Sequence, residues 1–231
     1  MIIAELGHNF NRNMNLAKKM ISKAYECGAD IAKFQIYDTD YILTPSSPYY
    51  WELKAVQIDY LQTKQLFNEC KKVGIEFMAS VFDTKRIKWT EKLGMERYKI
   101  ASRSIEDKEL IKTIEATGKP IIASLGMWNK PNLPEIKGKV DYLYCISKYP
   151  TIDEDLKNMP MEFDRYSGFS DHTIGNKWAK IAIDRGAKII EKHFTLDKTM
   201  PGCDQSGSAE PEELSELVEY FKNHSHIHYD T

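Results

Sequence analysis

The chain carries little that would tie it to a membrane, a disulfide scaffold or a nucleic acid. Its four cysteines, Cys27, Cys70, Cys145 and Cys203, show no Cys-x-x-Cys spacing, so neither a zinc knuckle nor a dithiol redox motif is indicated, and reduced thiols in a cytoplasmic protein are expected. No charged, apolar amino-terminal leader precedes the first strand-like run. No apolar stretch approaches the roughly 18 residues needed to span a bilayer. A formal net charge of −2 argues against broad nucleic-acid binding and leaves room for a local basic funnel suited to a small anion.

What is present is a globular composition, 42% hydrophobic and 29% charged over 231 residues, long enough for one α/β barrel. Short apolar runs alternate with amphipathic stretches, a rhythm that predicts parallel βα units. Strands are expected at 2–6, 31–35, 76–80, 97–101, 120–124, 142–146, 166–170 and 188–192, and helices at 16–27, 63–73, 107–116, 178–185 and 211–223, among others. Eight such strands favour a TIM-type (β/α)8 barrel over residues 1–223, followed by a tail at 224–231. The long second βα segment, 37–56, with Pro45, Pro48, Tyr49, Tyr50 and Trp51, reads either as a lid or as a packed surface loop. His224, His226 and His228 alternate in the tail, where metal chelation competes with a frayed terminus.

In a TIM barrel, reactive groups collect where strands end. Polar residues stand at nearly every predicted strand end: Glu5; Lys33 and Gln35; Ser80; Lys99 and Ser102; Ser124; Ser147 and Tyr149; Ser170 and His172; Glu191 and His193. Any one has an ordinary explanation, such as helix capping for a serine or solvation for a lysine. Together, two lysines and several hydroxyls form a cradle for phosphate and carboxylate. His172 and His193, at the ends of neighbouring strands, can converge on one metal ion, with core histidines as the plainer reading.

Ordered motifs then carry a family resemblance. They are Ile-Ile-Ala-Glu-Leu-Gly (2–7) with Asn9, Ala-Lys-Phe-Gln (32–35), Tyr-Lys-Ile-Ala-Ser (98–102) and Lys-Pro-Ile-Ile-Ala-Ser-Leu-Gly-Met (119–127). Tyr-Pro-Thr (149–151), Gly-Phe-Ser-Asp-His-Thr (168–173), Glu-Lys-His-Phe-Thr-Leu-Asp (191–197) and Pro-Gly-Cys-Asp (201–204) follow. The chain resembles the barrel domain of the sialic acid (nonulosonic acid) synthase family. The resemblance implies condensation of phosphoenolpyruvate with an open-chain N-acylated amino sugar.

It also implies a divalent cation, manganese first and magnesium or cobalt as substitutes, on His172 and His193. Lys33, Ser80, Lys99, Ser102, Ser124 and Ser170 match phosphoenolpyruvate positions. Gln35, Tyr149, Glu191 and Asp204 match positions around the sugar, Ser147 stands where some members have asparagine, and Glu5 matches the catalytic carboxylate. Three departures accompany these matches. Asn9 is followed by Phe10, Asn11 and Arg12 where the family has Asn-His-x-Gly; strand three ends Ser80-Val81-Phe82-Asp83 in place of Ser/Thr-Pro-Phe; and Gln205 replaces a histidine that often follows Asp204. The family's antifreeze-like domain, which caps a partner's site, is not expected within these residues; a truncated chain, a separate capping polypeptide and a substrate that needs no cap are the alternatives, and a homodimer is implied by the resemblance alone. A noncatalytic barrel that keeps the pocket for binding or regulation, and a synthase for another aldehyde, stand as alternatives.

Overall fold

The structure, a computed structural model, describes residues 1–224; His226 and His228, with the metal chelation considered for them, lie outside the described residues. Eight parallel strands close into a barrel in chain order: β1 (Ile2–Gly7), β2 (Ile31–Ile36), β3 (Glu76–Val81), β4 (Tyr98–Ile100), β5 (Ile121–Ser124), β6 (Val140–Cys145), β7 (Gly168–Asp171) and β8 (Ile189–His193), with β8 pairing back onto β1. The TIM-type barrel expected from the sequence is therefore the observed fold. The strands match the expected runs to within about two residues, β4 being shorter and β6 starting earlier.

Helices α1 (Met14–Glu26), α4 (Tyr60–Val73), α5 (Thr84–Leu93), α6 (Lys108–Glu115), α7 (Lys177–Asp184) and α8 (Pro211–His224) pack outside. Asparagine or aspartate opens several of them: Asn13, Asp59, Asp83 and Asp107 each accept backbone N–H bonds from the first turn. The departure after Ser80 fits this scheme, because Val81 ends β3 and Asp83 caps α5. The 37–56 segment is a pair of short helices, α2 (Thr39–Ile42) and α3 (Tyr50–Val56), and α8 runs one residue beyond the expected barrel boundary, to His224.

Two crossovers depart from the expected βα rhythm. No α-helix follows β5 or β6; the first connection is irregular and the second holds only a single 3-10 turn at Asp153–Leu156. Pro131 and Pro134 in the first, and Pro150 and Pro160 in the second, account for this, since proline removes a helical N–H and clashes with the preceding turn. Trp128, Leu133 and Ile136 cover the core where the missing helix would lie.

Strand alternation sorts the barrel interior into layers. Ile3, Ile31, Met78, Ile122, Leu143 and Ile189 fill the lowest one with apolar side chains. Each contributes about 1.5–3 kcal/mol by leaving water. Gly168 takes the β7 place because a Cβ there would stand 1.9 Å from the Ile189 carbonyl oxygen. Two residues further along each strand lie Glu5, Lys33, Ser80, Ser124, Cys145 and Glu191, joined by Lys99 of β4 and Ser170 of β7, and this second layer is polar.

The first loop keeps a left-handed backbone at positions 11 and 12 without glycine: Asn11 has φ 47° and Arg12 φ 58°. Asparagine tolerates this region; arginine does so against its Cβ. Asn11 also donates from Nδ2 to the Pro201 carbonyl at 2.9 Å, tying this loop to the last one. Arg12→Gly is expected to stabilise the protein by about 1 kcal/mol, raising the thermal midpoint by roughly 2–4 °C for a chain of this size. An unchanged or lower midpoint in a thermal melt would show that Arg12 is not strained.

Candidate active site

The second layer is a closed network of charge. Lys33 Nζ lies 2.6 Å from Glu5 Oε2 and 3.7 Å from Glu191 Oε2, and it donates to Ser80 Oγ at 3.3 Å. Lys99 Nζ donates to Ser124 Oγ at 2.7 Å and lies 3.7 Å from Glu191 Oε1. Ser170 Oγ donates to the same Glu191 oxygen at 3.0 Å, and Gln35 Nε2 donates to Glu5 Oε1 at 2.9 Å. The four charged residues are no more than 5% exposed.

Two cations and two anions balance there, but unequally. Burial works against the Lys33 ammonium, yet Glu191 and Glu5 outweigh it and hold its pKa above the ordinary lysine value. For Lys99, burial, with the nearby Lys33 cation, wins over Glu191, and its pKa is lowered. Burial would raise the Glu191 carboxyl, and Lys33 and Lys99 together pull it down to about 2. Lys99 is thus the cation with electrostatic capacity left for an incoming anion.

Thirteen of the fourteen residues singled out in the sequence line one cavity of about 290 Å³. They are Glu5, Lys33, Gln35, Ser80, Lys99, Ser102, Ser124, Ser147, Tyr149, Ser170, His172, Glu191 and His193. Asp204 does not; it lines a small adjoining recess with Tyr149, His172 and His193. Gly126 keeps the floor near Ser102 and Ser147 open, since a Cβ there would stand 2.5 Å from Ser147 Oγ and 3.0 Å from Ser102 Oγ. Its N–H donates to Ser102 Oγ at 3.0 Å.

The two histidines meet at the mouth, with ring centroids 5.6 Å apart and Tyr149 lying 4.1 Å from the His172 ring. His172 Nδ1 is 2.7 Å from the Ile146 carbonyl oxygen, which assigns the proton to that nitrogen and leaves Nε2 with a free lone pair. His193 Nδ1 is buried, lacks a hydrogen-bond partner among the described residues, and lies 3.7 Å from Asp204 Oδ2. Burial opposes charge on Asp204, but His193 and His8 hold its pKa below the ordinary value. Two imidazoles with a carboxylate beside them fit a divalent cation with open positions.

Sequence reasoning missed Arg103, Cys145 and His8. Arg103 lines the cavity from the 3-10 turn after β4 and anchors α2 by donating from Nη2 to the Ile42 carbonyl at 2.8 Å. Cys145 also lines it, its Sγ 3.9 Å from His172 Nδ1; burial pushes that thiol up, and His172 and Ser102 more than offset the push. Alternation along β6 was the available signal for Cys145, two residues after the inward Leu143.

The turn carrying His172 is braced from the helix side of the barrel. Lys192 and Asp171, both fully buried, pair at 2.9 Å; Lys192 Nζ also donates to the Thr173 carbonyl at 2.5 Å, and Thr173 donates from N and Oγ1 to Asp171 Oδ1 at 2.8 Å. Lys192→Met would leave the Asp171 charge buried and unpaired, a loss of about 3–5 kcal/mol in denaturant melts. Adding Asp171→Asn should recover part of it. A double variant no more stable than Lys192→Met would show that the unpaired Asp171 charge is not the source of the loss.

A sequence model of the NeuB family matches residues 20–230. The N,N'-diacetyllegionaminic acid synthase of Legionella pneumophila is 33% identical, covering 96% of this chain and 71% of that protein. Human N-acetylneuraminate-9-phosphate synthase is 32% identical, covering 94% and 68%. Among solved structures, the N-acetylneuraminic acid synthetase of Leptospira borgpetersenii, crystallised with citrate, superposes with a TM-score of 0.91 at 30% identity, covering 99% of this chain and 85% of that one.

Proposed function

The chain belongs to the NeuB family, and we propose that it condenses phosphoenolpyruvate with the open-chain aldehyde of an N-acylated amino sugar, giving a nonulosonic acid and inorganic phosphate. The observation that carries this reading is the juxtaposition in one cavity of a buried lysine-serine cradle and a histidine pair. The cradle suits a small anion bearing phosphate and carboxylate, and the pair beside it suits a cation that binds an aldehyde oxygen.

Lys33 and Lys99 supply ammonium groups to the anion, and Ser80, Ser102, Ser124 and Ser170 supply hydroxyl donors. C3 of the enol attacks the aldehyde carbon, forming the new C–C bond, and the aldehyde oxygen takes up a proton. Water adds at C2, and the resulting tetrahedral centre collapses to the ketone as the C2–O bond to phosphate breaks. Glu5, held by Gln35 and Lys33, is assigned the catalytic carboxylate, orienting or activating the attacking water or handling a sugar proton. Gln35, Ser147, Tyr149, Glu191 and Asp204 offer donors and acceptors to the sugar hydroxyls. A divalent cation on His172 and His193, with manganese as the assignment by resemblance, would polarise the aldehyde oxygen as a Lewis acid.

The described residues contain no helix long and apolar enough to cross a membrane. A biosynthetic role in the cytoplasm, with a homodimer and a separate capping polypeptide as the partners considered, completes the proposal.

The decisive experiment is incubation with phosphoenolpyruvate, Mn²⁺ and a panel of N-acyl hexosamines, following phosphate release and the mass of the condensed product. Release with at least one acceptor is expected; none with any acceptor would replace this reading with a binding barrel. Glu5→Gln should keep phosphoenolpyruvate binding and lose roughly 10²–10⁴-fold in turnover, the span of general acid–base catalysis. Wild-type turnover would remove Glu5 from the chemistry. His172→Ala and His193→Ala should each abolish metal-dependent release with the fold retained.

The pH dependence has a defined sign. An anion needs Lys99 protonated, and burial lowers the Lys99 pKa in the free protein. The KM for phosphoenolpyruvate should therefore rise with pH, starting below the ordinary lysine value of about 10.4, and Lys99→Met should flatten that rise. A pH-independent KM in the wild type would contradict the assignment.

A further inference from the structure

Beside the histidine pair, where the loop after β1 meets the loop after β8, three side chains not used in the condensation chemistry or only shared with it converge. His8 Nε2 lies 3.4 Å from Cys203 Sγ and 3.8 Å from Asp204 Oδ2, and the three donor atoms lie within 4.8 Å of one another. We propose that His8, Cys203 and Asp204 form a second cation site, distinct from the His172–His193 pair, that takes a zinc-class ion such as Zn²⁺ or Co²⁺.

Spacing supports this first. Donors about 2.0–2.3 Å from a tetrahedral ion stand roughly 3.3–3.8 Å from each other, the separations His8 already shows to its two neighbours. The donor types support it next. Imidazole, thiolate and carboxylate together select zinc or cobalt, whereas manganese prefers oxygen-rich sets such as carboxylates and water.

Charge is the third support. Among the described residues no lysine or arginine pairs with Asp204, whose side chain is only 12% exposed and faces two imidazoles. His8 is itself 8% exposed, and the buried His193 Nδ1, without a hydrogen-bond partner among the described residues, lies 3.7 Å from the same Asp204 oxygen. Glu52 of α3 faces the Cys203 thiol, adding a second carboxylate to the rim. On binding, the ion displaces the thiol proton to solvent, and three protein ligands leave one position open.

The site shares Asp204 with the neighbourhood of the histidine pair, but its test uses metal alone and no substrate. Chelator-treated protein is titrated with Co²⁺ and its absorption recorded. A thiolate-to-cobalt charge-transfer band is expected in the wild type and in His172→Ala, and is expected to vanish in Cys203→Ser. His8→Gln should weaken cobalt affinity by at least about tenfold, the lower end of the loss seen even for partners outside the ligand shell.

Absence of the band in the wild type overturns the site; loss of the band in His172→Ala overturns its separateness. A measurement without variants accompanies these. Cys203 is the exposed cysteine, the other three being buried, so a thiol reagent reads it selectively in the folded protein. Zn²⁺ should slow its labelling at least tenfold, and an unchanged rate overturns the proposal.

Discussion

Two ammonium groups and two carboxylates held out of water one layer beneath the mouth of the barrel are the constraint around which the rest is arranged. An ion moved from water into a protein interior costs several kcal/mol even after relaxation, and only close partners offset it. Here the offset is distributed: Lys33 has two acids, Lys99 only one, at 3.7 Å, together with Ser124. That inequality raises the pKa of one lysine and lowers that of the other. A site built this way is balanced when empty and gains most where an anion reaches the less satisfied cation.

The barrel supplies the geometry through the two-residue repeat of a strand. Apolar residues fill the layer below the charges, polar residues form the layer itself, and the next positions up, Gln35, Ser147, His172 and His193, face the mouth. The strand residues between them point the other way, toward the helices. Asp171 and Lys192 are such residues, and they carry their own buried ion pair on the far side of the strands that bear His172 and His193. Chemistry on the inner face and bracing on the outer face alternate along the same few residues.

This alternation is why so much was legible in the sequence. Apolar runs ending in Lys33, Ser80, Lys99, Ser124 or Glu191 announce both a strand and a polar group at its carboxyl end, and register does the rest: Glu5 pairs with Lys33, Ser80 with Lys99, and Ser170 with Glu191. Residues off the strands carry no such signal. Arg103 reaches the cavity from a 3-10 turn, and His8 reaches Asp204 only because two loops far apart in sequence are adjacent once β8 closes on β1. The helices expected after β5 and β6 are absent, because Pro131, Pro134, Pro150 and Pro160 outweigh the regular βα repeat on which that expectation rested.

Barrel closure also explains how the altered first loop still serves the site. Asn9 Nδ2 donates to the Phe194 carbonyl and to Ser208 Oγ, both at 2.9 Å, while Gln205 Nε2 donates to the Asn9 carbonyl at 2.7 Å and Gln205 Oε1 accepts from Thr195 Oγ1 at 2.5 Å. These bonds stitch the loop after β1 to the loop after β8 in buried surroundings, where an unmade bond costs about 1–3 kcal/mol. Gln205, occupying a position where the resemblance leads one to expect histidine, spends its amide on this seam and not on a ligand. The imidazole that the first loop brings to Asp204 is His8, three residues before the left-handed turn at Asn11 and Arg12. The seam thus fixes Asp204 between His8 and His193, so that the same carboxylate borders both clusters of metal-binding side chains.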